Sequence, residues 1–254
     1  MINATVIYVL WLREMKRFGR AKSRVIGSLA MPLFFLAFMG MGFNRMAVPG
    51  LGRDVSYIQF LVPGILGMSL LFSSTFGGLS VLWDREFGFL KEIMVAPVHR
   101  VSIVLGRIAG GMTTALIQGL MILGISIVLG FRVRSLTSLA LALAAMLLIT
   151  SSFLGLGLIF ASLMKDIQGF SLIMNFVIFP LFFLSGALYP LENMPKVIRL
   201  LSLADPLTYG IDGLRGFLLG QSTRPPAVDI AIMAGISVFM VLAAAYAFEK
   251  SKSL

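Results

Sequence analysis

The sequence predicts an all-α, polytopic membrane protein with six transmembrane helices, an N-terminal interfacial amphipathic helix and a re-entrant outer helical hairpin before the last span. Two observations predict this fold class. Hydrophobic residues make up 58% of the 254-residue chain and only 13% are charged, whereas a soluble protein carries about a quarter charged residues. Six runs also lack charge and are long enough to cross a bilayer as helices, which takes about 20 residues each. We expect a single membrane domain over residues 1–254.

The six uncharged runs place both chain ends on the same side of the membrane. They are Val25–Phe43, Ile58–Trp83, Ile108–Phe131, Ser135–Met164, Ile167–Leu191 and Ile230–Phe248. Of the 21 Lys and Arg residues, thirteen flank the side of the termini and eight flank the other side. This excess predicts cytoplasmic termini in an inner or plasma membrane. Because the basic residues lie beside apolar spans, headgroups and topology explain the net charge of +10, and no nucleic-acid partner is expected.

The N-terminal residues 5–24 are predicted to form an amphipathic helix in the cytoplasmic interface. Apolar Val6, Ile7 and Leu10 are followed by a run of Arg and Lys residues, a combination typical of helices that lie along a membrane surface. We expect Trp11 at headgroup depth. The alternative is a solvated basic anchor that only fixes topology.

The outer segment 189–229 is predicted to contain two half-length helices. Five prolines interrupt it, and the apolar stretches between them, Val197–Ala204 and Leu207–Leu219, are too short to cross. Together they favour a helical hairpin that enters the outer leaflet, since irregular backbone at membrane depth must be surrounded by protein or water. The alternative is an amphipathic loop lying flat on the bilayer.

A charged segment at residues 83–107 joins the second and third spans. It carries seven formal charges of both signs and the single histidine, His99. Its apolar residues are spaced for one face of a short helix that ends at a proline: Phe87, Leu90, Ile93, Met94 and Pro97. We therefore expect a cytoplasmic, amphipathic docking segment for a soluble partner, continuous with the spans on either side.

The sequence argues against bond chemistry in this chain. A single histidine rules out zinc motifs of the HExxH kind, no Walker A pattern is present, and there is no cysteine. The six runs lack the paired acids of an intramembrane enzyme and the buried charges of an ion-coupled carrier. We predict no catalytic residue, no metal site and no cofactor in this chain, so any ATPase would be a separate polypeptide.

Neutral polar and aromatic side chains are the candidates for a substrate path. The mid-span amides Gln118 and Asn175 are hard to satisfy inside a bilayer, although hydrogen bonding between helices is the more ordinary explanation. Phe176, Phe179 and Phe183 belong to a dense aromatic run in the fifth span, which could face either an amphiphilic substrate or lipid. Gly106 and Gly110 have GxxxG spacing, which suits close helix packing and is weak evidence of a dimer face.

Two long stretches carry a family resemblance. They are FLVPGILGMSLLFSSTFGGLSVLWDREFGFLKEIMVAPVHRVSIVLGRI (Phe60–Ile108) and FPLFFLSGALYPLENMPKVIRLLSLADPLTYGIDGLRGFLLG (Phe179–Gly220). With the N-terminal helix and the six spans, they make the chain resemble the ABC-2 type permeases, the membrane subunits of ATP-driven exporters. Among these it is most similar to the drug-resistance and lipo-oligosaccharide-export permeases.

The resemblance implies a permease that dimerises, either with itself or with a paralogue, and docks two separate ABC ATP-binding subunits that hold ATP and Mg. It implies export of a hydrophobic or amphiphilic substrate such as a drug, a lipid or a lipid-linked glycan. The residues matching the family's ATPase-coupling segment are Asp84, Arg85, Glu86, Gly88, Leu90, Lys91, Glu92, Pro97 and Arg100, with Phe87 as part of an apolar anchor. The alternative is a membrane scaffold that transports nothing and is regulated by an ABC ATPase.

Overall fold

The computed structural model describes residues 3–43, 56–88, 100–164 and 166–250. Within these ranges the regular structure is helical and contains no strand, which confirms the all-α prediction. In chain order the helices of the described ranges are α1 (Ala4–Arg20), α2 (Lys22–Phe43), α3 (Tyr57–Gly77), α4 (Leu79–Glu86), α5 (Arg100–Val128), α6 (Leu136–Leu163), α7 (Ile167–Leu184), a 3-10 turn (Leu191–Asn193), α8 (Lys196–Ser202), α9 (Pro206–Leu219) and α10 (Pro226–Lys250).

Five stretches of the described chain are long and apolar enough to cross a membrane, and a bent pair can supply a sixth. The five are Tyr57–Glu86, which joins α3 to α4, Val101–Val128, Leu136–Leu163, Ile167–Leu184 and Pro226–Lys250. The sixth arises if Ala4–Arg20 and Val25–Gly40, which meet at 71°, form one broken span. The predicted multi-pass architecture is therefore confirmed, and α2 contains the whole of the first predicted run, Val25–Phe43.

Helix α3 forms the centre of the bundle. It packs against α2, α5, α6 and α9, and the side chains of Leu61, Ile65, Leu66 and Leu70 are fully buried. Since a helix that is apolar all round has to be surrounded by protein or lipid, this burial explains why the run lacks an amphipathic pattern. The stretch Tyr57–Glu86 therefore joins α4 to this buried helix.

The outer segment contains the two predicted half-length helices, but they differ in burial. Helix α9 packs against α3, α6, α7 and α10, and its Leu207, Ile211 and Leu214 are fully buried. Helix α8 instead leaves Val197 and Leu200 each 69% exposed. Only α9 is thus surrounded by protein in the way that a re-entrant helix requires.

The fifth span ends close to Gly186, the glycine that follows its aromatic run and that the sequence predicts as its end. The apolar run continues to Leu191, but α7 ends at Leu184 and the chain turns at Gly186, whose φ is +71°. Arg215 of α9 donates hydrogen bonds to the carbonyls of Gly186 (2.8 Å) and Ala187 (3.2 Å). Hydropathy does not register such a turn, because a buried arginine here satisfies the carbonyls that a continuing helix would have satisfied.

The N-terminal helix is present, but it ends before the predicted boundary. α1 ends at Arg20, and Lys22 begins α2, so the predicted segment 5–24 spans a bend. Trp11 points to α5 and donates its indole N–H to Thr113 Oγ1 at 3.0 Å. The half-buried indole ring thus contacts α5, and its position at headgroup depth stays a prediction.

Candidate coupling site

The two described ends of the charged segment meet at a buried carboxylate. Asp84, in the last turn of α4, is 5% exposed and forms ion pairs with Arg13 of α1 and Arg107 of α5. Arg13 Nη1 donates to Asp84 Oδ2 at 3.1 Å, and Arg107 Nη1 donates to Ser80 Oγ at 3.2 Å. We call these four residues the junction cluster. The cluster connects α1, α4 and α5. Along the chain, Arg13 lies 71 residues and Arg107 23 residues from Asp84.

Because the junction cluster is buried, the loss of one of its charges is expected to destabilise the protein. Arg107 is 7% exposed, so its charge is as far from water as that of Asp84. An ion pair removed from water gains little net stability, but removing one partner leaves an uncompensated buried charge. Glu14 lies close enough to Arg107 to add a second negative charge to its surroundings. The two arginines are therefore balanced only while the carboxylate between them is present.

The α1–α5 seam beside the cluster explains the GxxxG spacing. A Cβ added at Gly106 would lie 2.9 Å from Leu10 Cβ, and one at Gly110 would lie 2.8 Å from Glu14 Cβ. The backbone N–H of Asn3 also donates to Ser102 Oγ at 3.0 Å. These glycines thus serve close packing of α1 on α5 within one chain, which is the ordinary reading of such spacing.

Two further contacts hold the end of α4. Arg85 Nη1 donates to the carbonyl of Met164, just after α6, at 2.7 Å. The guanidinium of Arg17 lies 4.7 Å from the centroid of the Trp83 ring, within the range of a cation–π interaction. The end of the second span is therefore fixed to α1, α5 and α6 together.

The structure divides the predicted coupling residues into two groups. Asp84 and Arg85 face inward, whereas Glu86 is exposed, Phe87 is 80% exposed and Gly88 has a φ of +75°. Residues Leu90, Lys91, Glu92 and Pro97, together with His99, lie outside the described residues, as does the side chain of Arg100. Contact of the segment 83–107 with an ATPase stays a prediction. Asp84 and Arg85 contact other helices of this chain, so they hold the exposed part of the segment in place.

The sequence does not reveal three members of this cluster. It indicates Arg13 as a topology-setting charge and Arg107 as one charge of the segment 83–107, and it gives no signal for Ser80. The single available signal was an acid and a base at the inner ends of consecutive apolar runs, Asp84 after one and Arg107 before the next. Charges at those positions are expected to be either solvated or paired, and sequence alone does not distinguish the two.

The predicted substrate-path residues fall into two places. Gln118 is 6% exposed and lines a cavity between α1, α2, α3 and α5. Asn175 is exposed on α7, where Phe176 is 81%, Phe179 41% and Phe183 47% exposed. The ring of Phe72, which lines the cavity, lies 5.5 Å from that of Phe179, centroid to centroid. One aromatic contact therefore links the cavity wall to the exposed face of α7.

The outer end of the protein has polar groups of its own. A cavity of about 360 Å³ there is lined by Asp212, Arg215 and Arg224 among others. Burial lowers the pKa of Arg215 to about 10, which leaves it charged at neutral pH. Burial raises the pKa of Asp205, the N-cap of α9, to about 7 against the opposing hydrogen bonds from the Leu207 N–H and the Thr208 hydroxyl. Within the described residues no group of His, Asp and Glu side chains could hold a metal ion.

Comparison with known proteins identifies the family. The sequence model described as ABC-2 type transporter matches residues 5–219. The chain belongs to the ABC-2 type transporter family. The match includes α1, the junction cluster and all of α9, so the site described above lies within the family's own domain. An ABC-2 type chain is a membrane permease, which agrees with the expectation that this polypeptide is not itself an enzyme.

Individual relatives are similar over most of their length. The inner membrane transport permease YadH of Escherichia coli K12 is 30% identical over 228 residues, which cover 88% of this chain and 87% of that protein. The probable doxorubicin resistance ABC transporter permease protein DrrC of Mycobacterium tuberculosis H37Rv is 27% identical over 252 residues, covering 95% and 87%. Nodulation protein J of Rhizobium leguminosarum bv. trifolii is 29% identical over 238 residues, covering 92% and 86%.

Proposed function

We propose that this ABC-2 permease is the membrane subunit of an ATP-driven exporter that moves a hydrophobic or amphiphilic molecule out of the cytoplasm or the inner leaflet. Drugs, lipids and lipid-linked glycans are the candidate substrate classes. The ATP and Mg would be bound by two copies of a separate ABC ATP-binding subunit. The permease would act as a dimer, either with a second copy or with a paralogue.

The observation that carries this proposal is the junction cluster. The charged segment begins beside Asp84 and ends at Arg107, and Asp84 forms ion pairs with both Arg107 and Arg13. A partner that displaced the intervening segment would move the ends of α4 and α5 together with α1. Rigid-body movement of packed helices is how such displacements change the access of a membrane protein. The cluster thus gives an external ATPase a mechanical connection to the core helix α3.

The relatives support the finer parts of the proposal. DrrC is named for doxorubicin resistance, which favours export of amphiphilic molecules and multidrug efflux. YadH is named as an inner membrane permease, which favours an inner or plasma membrane location here. The excess of basic residues beside α1, the charged segment and the C-terminus favours cytoplasmic termini.

Orientation can be tested by labelling, because the chain contains no cysteine. We expect a cysteine at Phe87, which is 80% exposed, to react with a membrane-impermeant maleimide only after the cytoplasmic side is opened. A cysteine at Gln221, which is exposed after α9, should react in intact cells. Labelling of Phe87→Cys from outside would overturn both the topology and the proposed ATPase contact.

Partner binding can be tested by reversing charges in the segment. The double variant Glu86→Lys/Lys91→Glu should abolish pull-down of the ABC ATP-binding subunit encoded with the permease, because oppositely charged contacts orient such interfaces and like charges oppose them. Membrane insertion should be unchanged. The matched control is Glu192→Lys/Lys196→Glu, an equal reversal at the outer end, which should bind like wild type. Retained binding and transport in the first variant would refute the docking role.

The scaffold alternative makes a different prediction in the same system. Reconstituted with the ATP-binding subunit in proteoliposomes, an exporter should show ATPase activity stimulated by at least one amphiphile, such as doxorubicin, and ATP-dependent movement of that molecule. A scaffold would bind the ATPase without either response.

A further inference from the structure

The strongest unassigned feature is the cavity between α1, α2, α3 and α5. Its volume is about 400 Å³, within the range of about 300–1,000 Å³ that holds drug-sized ligands. Most of its wall is apolar and soft, with Met31 of α2 and Met68, Phe72 and Phe76 of α3. Methionine and aromatic walls adapt to differently shaped apolar bodies, so the cavity suits the hydrocarbon part of an amphiphile.

A buried acceptor without a partner lies in this wall. Gln118 is 6% exposed, and its Oε1 has no hydrogen-bond partner among the described residues. A buried polar atom left unpaired costs about 1–3 kcal/mol, a cost that a purely structural residue would avoid. A donor on a bound molecule would satisfy it. The face of α5 that carries Gln118 also carries Thr114, one turn away, and Thr114 lines the same cavity.

The other end of the cavity is charged with both signs. Glu14 and Arg17, three residues apart on α1, both line it. Glu14 packs on Gly110, which precedes Gln118 on α5 by eight residues, or about 12 Å along a helix. Arg17 is held in place by its contact with the Trp83 ring. Adjacent opposite charges complement a head that itself carries both signs.

We propose that this cavity binds a zwitterionic amphiphile that carries a neutral hydrogen-bond donor within its apolar body. The anionic group of the head meets Arg17 and the cationic group meets Glu14. The apolar body lies against the methionine and phenylalanine wall, and the donor meets the Gln118 amide, whose enclosed Oε1 turns toward the cavity to accept it. The site lies within one chain and needs neither a second copy nor the ATPase.

The test uses the purified full chain in a maltoside detergent and two probes. One is a lysophosphatidylcholine with a hydroxyl midway along its chain, and the other is the same lipid without the hydroxyl. Binding is followed by the fluorescence of the two tryptophans, one of which, Trp83, borders Arg17 at the charged end. We expect saturable binding, with the hydroxylated probe bound about three- to tenfold more tightly, the range of one net hydrogen bond.

Variants assign the preference to the cavity. Gln118→Leu should remove the preference for the hydroxyl while raising the melting temperature of the ligand-free protein, because an unpaired buried acceptor is gone. Glu14→Gln should weaken both probes equally. The matched control Gln168→Leu, at an exposed position of α7, should behave like wild type. Equal binding of the two probes by wild type, or a preference that survives Gln118→Leu, would overturn the site.

The outcome is separable from the proposed function. Binding is measured without ATP or a partner subunit, so a failure of ATP-driven transport would not contradict binding at this site. Conversely, loss of the site would leave export of another molecule by another route intact. If the probe binds and is also moved in proteoliposomes, the site is an intake point for cargo.

Discussion

Replacing Asp84 by Ala is expected to lower the free energy of unfolding by about 3–5 kcal/mol, the usual result of removing one partner from a buried ion pair. The carboxylate is 5% exposed and lies between two arginines, one of which is itself buried. Its loss leaves the Arg107 charge uncompensated between α4 and α5. Denaturant unfolding of the purified protein in detergent measures the change.

Two companion variants separate charge from packing. Glu86→Ala, at an exposed position two residues later on the same helix, should change stability by no more than about 0.5 kcal/mol. Asp84→Leu/Arg107→Met replaces the buried pair by apolar groups and should recover most of the lost stability, because a well-packed apolar pair often equals a buried ion pair. A wild-type unfolding curve for Asp84→Ala would show that the cluster is solvated and does not hold the helices together.

The same double variant tests coupling. If the cluster only stabilises the fold, the double variant should restore stimulated ATPase activity along with stability. If it transmits displacement of the charged segment, stability should return while stimulation stays low, since apolar contacts lack the fixed geometry of charge-assisted hydrogen bonds. The comparison of the two readouts distinguishes a structural from a positioning role.

Hydropathy was sufficient to predict most of the fold. Runs of about 20 uncharged residues have few alternatives to a membrane helix, so five of the six predicted spans lie almost entirely within single helices or the joined α3–α4 stretch. Prolines likewise marked the two half-length outer helices. What hydropathy does not show is an interaction between residues distant in sequence, such as the hydrogen bonds from Arg215 to the carbonyls of Gly186 and Ala187.

The site was less predictable for the same reason. The sequence showed which charges flank the second and third spans, but not that Asp84 and Arg107 turn toward each other and toward Arg13. That choice depends on the close approach of α1 to α5, which Gly106 and Gly110 permit. Gln118 was selected as a mid-span amide, yet only the packing of four helices shows that it faces a cavity. Pairing across 71 residues leaves no periodic trace in the sequence.

Replacing Gly110 by Leu is expected to destabilise the protein by about 1–3 kcal/mol, as overpacking of a tight contact does. A Cβ at this position would lie 2.8 Å from Glu14 Cβ and 3.7 Å from Trp11 Cα, so α1 has to move away from α5. That movement would also stretch the Trp11–Thr113 hydrogen bond and the contact of Arg13 with Asp84. Denaturant unfolding measures the stability, and the tryptophan emission maximum should shift to longer wavelength.

The matched control is Gly124→Leu on the same helix. A Cβ at Gly124 meets nothing within 4 Å, and leucine favours a helix over glycine by about 0.5–1 kcal/mol. This variant should therefore be as stable as wild type or slightly more so.

A GxxxG interface between two copies would give another pattern. Gly110→Leu would then reduce chemical cross-linking of dimers while leaving unfolding and tryptophan emission unchanged. Because the space beside Gly110 is filled by α1 of the same chain, we expect the emission shift, and a variant that lost only its dimer would refute the α1–α5 seam.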